Sequence, residues 1–148
     1  MVDTIQKLTE VVNELYAADW NAIDWASKPD PDRWSKKQII GHLIDSAQVN
    51  LQRFVRCTYE ENFKLTYEQD EWVNAQHYQD ADINELLDLW KLLNLQIARV
   101  LLNYPQERLQ AKCDINKTTV RLYTVDWLAV DYVEHMKHHL KQVTCKQI

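Results

Sequence analysis

Five histidines stand at positions 42, 77, 135, 138 and 139, and three of them cluster in the run E-H-M-K-H-H from Glu134 to His139. On a helix, His135 and His139 stand one above the other about 5–6 Å apart, a spacing from which both imidazoles can reach one metal ion. Helices also carry such a pair by chance, with each ring satisfied by ordinary hydrogen bonds. His138 is rotated about 60° from His135 at roughly 100° per residue, toward solvent or the periphery of such a site. His42 lies in I-I-G-H-L-I-D, on the apolar side of its helix. A buried imidazole there needs hydrogen bonds or a metal, because an unsatisfied nitrogen away from water is costly. Asp45, three residues after His42, and Asp131, four before His135, are spaced to take the second ring N–H of a ligating histidine, or to be solvated helix charges. Arg53 returns to nearly the same helical face as His42 roughly 16 Å farther along, where it can meet a ligand carboxylate or a surface acid. His77 falls in an irregular segment and is expected in an exposed loop.

Four amphipathic helices are predicted to position these groups. Ile5, Leu8, Val12, Leu15 and Tyr16 recur at three and four residues, which makes one apolar stripe. Ser35 and Gln38 have the form of a capping box opening a second helix that is expected to run to about Glu60. A further cap at Asp82 and Glu85 opens a third, through Leu86, Trp90, Leu93, Ile97 and Leu101, which stops just before Pro105. Thr124 can cap the fourth, which carries Tyr132, His135, His139 and Val143. Such helices are about 30 Å long and suit one all-α, four-helix-bundle domain over residues 1–148. The connections between the second and third and the third and fourth helices are long, about 20 residues each. Such lengths imply crossovers, or loops that close over something, with Trp72 and Tyr78 candidates to wall a pocket. Thr118-Thr119-Val120 is β-like but too short to predict a sheet.

Composition excludes several alternatives. The single glycine, Gly41, rules against glycine-rich phosphate loops and hairpin-rich β folds. That glycine sits in a helix interior, where it costs about 0.5–1 kcal/mol relative to alanine. It is either tolerated there or required because a neighbour approaches too closely for a Cβ. Seventeen basic residues against 22 acidic give a net charge of −5, which opposes nucleic-acid binding. No apolar run has the length of a membrane span and the N-terminus lacks a signal-peptide core, so a cytoplasmic location is expected. Cys57, Cys113 and Cys145 are odd in number and widely spaced, which argues for reduced thiols.

The phrase W-S-K-K-Q-I-I-G-H-L-I-D-S-A, Trp34 to Ala47, taken with H-M-K-H-H-L near the C-terminus, resembles the DinB-like superfamily of four-helix-bundle metalloproteins, which includes the bacillithiol and mycothiol S-transferases. The resemblance implies that His42, His135 and His139 hold one divalent ion, zinc or nickel, and that the chain can form a homodimer. Where some members carry a further histidine three residues after the pair, this sequence has Gln142, so the resemblance assigns no auxiliary base there. Three neutral imidazoles leave an ion with an open position, the arrangement of a catalytic site. The expected reaction is activation of a low-molecular-weight thiol for attack on a small electrophile. A hydrolase using activated water and a non-catalytic metal-binding bundle are the alternatives.

Overall fold

The computed structural model describes residues 1–144; Cys145 lies outside them. Four long helices dominate: α1 (Val2–Tyr16), α2 (Lys36–Cys57), α4 (Ile83–Leu102) and α5 (Val125–Thr144), with the short α3 (Gln69–Ala75) between α2 and α4. Local signals set the starts of three of them. The Ser35 hydroxyl accepts from the Gln38 backbone and Gln38 reaches back to the Ser35 N–H, closing a full capping box on α2. The Asp82 carboxylate accepts from the Asn84 and Glu85 backbones at the head of α4. The Thr124 hydroxyl accepts from the Trp127 N–H at the head of α5.

The long helices form a ring in the order α1, α4, α2, α5, each packed on the next, with α2 against α4 the most extensive pair. That order makes α2 and α5 neighbours, and the histidines lie on those two helices. Apolar faces of all four meet in one cluster that includes Leu15, Ile40, Phe54, Trp90, Ile97 and Leu140. Two buried hydroxyls in it are paired. Tyr132 donates to Asn94 Oδ1 at 2.7 Å, joining α5 to α4, and Tyr104 donates to the Phe54 carbonyl at 2.8 Å.

The fold is not strictly all-α. A three-stranded sheet is built from the two connections, with strands β1 (Phe63–Lys64), β2 (Lys112–Asp114) and β3 (Leu122–Thr124) in the order β1-β2-β3. β1 pairs parallel to β2, and β2 pairs antiparallel to β3. Strands of two or three residues are too short to show a two-residue alternation, so no periodicity announced them. The β-like Thr118-Thr119-Val120 lies in the turn between β2 and β3. α2 also ends at Cys57 rather than near Glu60, its last turn covered by the Arg108 guanidinium, which donates to the Cys57 and Glu60 carbonyls. No helix among the described residues is long and apolar enough to cross a membrane.

Candidate metal centre

His42 projects from the middle of α2, and His135 and His139 from adjacent turns of α5, into the seam between the two helices. His42 is buried and the other two are half-buried. The Nε2 atoms of His42 and His135 stand 3.3 Å apart, and one ligand atom from each of the three residues lies within 4.8 Å of the others. The ring centroids are separated by 5.2, 4.8 and 4.6 Å. Two nitrogens bound tetrahedrally to one ion at about 2.0–2.1 Å lie roughly 3.3 Å apart, so the His42–His135 pair already has the edge length of such a site.

Electrostatics favour the same use. Burial pushes the His42 pKa down to about 3, helped by its two histidine neighbours. Burial likewise lowers His139 to about 4, and His135 is lowered by burial and by His138. All three rings are therefore neutral near pH 7, with lone pairs available as ligands. The Nδ1 atoms of His42 and His139 are buried with no hydrogen-bond partner among the described residues. The Nε2 atoms of His42 and His135, facing each other in a cluster of three neutral rings, fit a bound divalent cation.

Two aromatic rings flank His42. Trp34 lies 4.8 Å from it at a tilt of 36°, and Tyr67 stacks at 6.5 Å with Trp72 edge-on behind it. Neither Trp34 nor Tyr67 was legible as part of the site from spacing alone. The signal for Trp34 was its place just before the Ser35 cap, from which an apolar side chain packs onto the first turns of the helix. A cavity of about 550 Å³ adjoins the triad at His139, with Trp34, Ile39 and Gln142 also in its wall.

The carboxylates do not take the places that their spacing suggested. Asp45 Oδ1 accepts from the Tyr78 hydroxyl at 2.6 Å and from Gln76 Nε2 at 2.5 Å, while its Oδ2 is buried with no partner among the described residues. Burial raises its pKa against those two hydrogen bonds. Asp131 is exposed, and among the described residues it makes no hydrogen bond to His135. A helical offset of three or four residues brings side chains to one face but does not choose their partners. His138 is exposed and contacts Gln142 at 3.2 Å. His77 is an exposed loop residue with φ of 51°.

Arg53 is a strut. It is buried, donates twice to the Leu65 carbonyl at 3.2 and 2.7 Å and once to Asn50 at 3.2 Å, and so ties α2 to the segment after β1 instead of meeting an acid on the surface. Cys57 and Cys113 are buried free thiols, and burial pushes Cys57 up to about 12. Tyr78 explains Gly41. A Cβ on Gly41 would clash with the edge of the Tyr78 ring, so the sole glycine admits that ring against the helix next to His42.

The sequence profile of the DinB superfamily matches residues 1–143. The chain belongs to the DinB superfamily. This DinB-superfamily chain is also similar in fold to a solved structure described as YfiT from Bacillus subtilis, a probable metal-dependent hydrolase with an unusual four-helix bundle topology. The match has 22% identity and a TM-score of 0.82, covering 96% of this chain and 82% of that one. No functionally curated protein matches the sequence closely enough to count as a relative.

Proposed function

We propose that this DinB-superfamily chain is a metal-dependent enzyme acting on small molecules, an S-transferase that activates a low-molecular-weight thiol for attack on an electrophilic acceptor. The observation that carries the reading is the convergence of three neutral imidazoles, two of them with nitrogens 3.3 Å apart, beside a cavity of small-molecule size. His42, His135 and His139 would hold the divalent ion, zinc or nickel, both of which imidazole nitrogens suit. A divalent cation bound by three imidazoles retains an open position, and there it lowers the pKa of a thiol or water enough to supply a nucleophile at neutral pH.

The chain's own contribution is placement and exclusion of water. Burial keeps the three rings deprotonated, so protons do not compete for their lone pairs. Trp34 and Tyr67 shield His42 on two sides and leave the His139 side toward the cavity. The two thiols among the described residues, Cys57 and Cys113, are buried and protonated, so neither serves as the attacking sulfur, which would come with the substrate. Hydrolysis is the second reading, favoured by the description of YfiT and by the same open position, which would accept water as readily as thiol.

Metal analysis of protein purified without a histidine tag tests the site. Wild type should carry about one divalent ion per chain, and His42→Ala and His139→Ala should carry almost none; equal trace metal in all three would overturn the reading. Metal-dependent turnover of thiols with electrophilic acceptors, against turnover of ester or amide substrates, then separates transfer from hydrolysis.

A further inference from the structure

We propose that the cavity beside the triad is a seat for a flat, aromatic portion of a small-molecule ligand, and that Trp34 selects for it. The proposal rests on the function above for the identity of the reacting group, but the seat itself stands on geometry.

The cavity, about 550 Å³, lies within the range of roughly 300–1,000 Å³ typical of small-molecule sites. Its floor is formed by Ile39, which is buried, and by Trp34, Lys36 and His139, which are half-buried. Arg33 and Asp70 are exposed at its rim. Charges of both signs surround the opening, so the cavity makes no demand for a strongly charged ligand. The broad apolar surface inside it is the indole. That indole belongs to two environments at once: it packs against the His42 ring at 4.8 Å, and it lines the open cavity.

The seat is held rigidly. Trp34 directly precedes Ser35, whose backbone is fixed by the capping box and whose hydroxyl donates to Gln79 Oε1 at 2.6 Å. Two residues on, the Lys37 N–H donates to the Trp25 carbonyl at 3.0 Å. Aromatic rings pair with centroids about 4.5–7 Å apart, so a ligand ring on the cavity side of Trp34 completes a stack of ligand ring, indole and His42 imidazole. Substituents on that ligand ring then lie beside His139, where the ion's open position would receive them.

The test uses cobalt(II)-loaded protein titrated with benzyl mercaptan, which carries a ring, and with 2-mercaptoethanol, which does not. Thiol binding is read from the sulfur-to-cobalt charge-transfer absorbance. Seating is read separately from the Trp34 indole N–H resonance, assigned by its loss in Trp34→Phe. Wild type should bind benzyl mercaptan at least tenfold more tightly. Trp34→Phe should keep that preference within about threefold, and Trp34→Leu should lose it, the preference being read as the ratio of the two thiol affinities per bound cobalt. Equal affinity of wild type for the two thiols overturns the aromatic seat while leaving the thiol chemistry intact. A Trp34 resonance that moves with benzyl mercaptan while no charge-transfer band appears upholds the seat and overturns the thiol reading. A resonance unmoved at saturating benzyl mercaptan overturns the seat.

Discussion

Replacing Gly41 by alanine sets two opposite effects against each other, and their sizes can be worked from the contacts. In an open helix the change would stabilise by about 0.5–1 kcal/mol, because glycine is the poorer helix former. Here the new methyl would clash with the edge of the Tyr78 ring, and the overlap reaches Cγ, the ring atom nearest the backbone. Rotating the ring about its own axis cannot clear it, so the turn at Tyr78–Asp80 must move off α2. Overpacking of this kind costs about 1–3 kcal/mol. The shift also breaks the buried Tyr78–Asp45 hydrogen bond of 2.6 Å, worth roughly 1.5–3 kcal/mol where the acceptor is charged. The net loss expected is about 2–4 kcal/mol, or a fall in Tm on the order of 10 °C for a chain of this size. Urea and thermal unfolding of Gly41→Ala, Tyr78→Ala and the double variant measure it as a cycle. With the ring gone, Gly41→Ala should become mildly stabilising. A Gly41→Ala variant within about 0.5 kcal/mol of wild type, or a penalty that persists in the Tyr78→Ala background, would refute the steric account.

Three further outcomes are expected. Metal-free protein should lose stability as pH falls from about 6.5: burial holds His42 near 3 and His139 near 4, so the unfolded chain binds more protons across that window. Thermal unfolding in chelator from pH 7.5 to 5 should show this slope, weaker in His42→Gln, and a flat wild-type profile would contradict it. At neutral pH, divalent metal at 100 times its Kd should add about 2.7 kcal/mol, seen calorimetrically as a rise in Tm that chelator reverses and His42→Ala lacks. Asn94→Ala should cost about 1–3 kcal/mol in urea unfolding because it strands the buried Tyr132 hydroxyl; Asn94→Ala combined with Tyr132→Phe should recover part of it.

The parts of the molecule written in long repeats were readable in the chain. Apolar spacing marked the four long helices, and the Ser35 and Asp82 caps fixed where two of them begin. The H-x-x-x-H pair with a core-facing His42 pointed to the rings that the fold brings together. What spacing could not supply was choice of partner. Asp45 shares a helix face with His42, yet Tyr78 and Gln76 arrive from a distant loop and take its oxygen. Arg53 is turned inward by the Leu65 carbonyl, a backbone acceptor with no sequence signature. α3 and the strands are too short for periodicity to register, and their existence depends on neighbours already in place.

The pairing of β1 with β2 joins Phe63 to Cys113 and Lys64 to Asp114, partners fifty positions apart with all of α4 between them. Closing a loop of that length has an entropic cost that two or three ladder bonds do not offset alone. The strands must therefore zip up late, after α4 has docked and brought their ends close, which makes them a report on helix assembly and not its origin. It also couples the two linkers mechanically, since neither can peel away from the helices without dragging on the other. Local opening on the chain's way to its unfolded state should then release both linkers in one cooperative event.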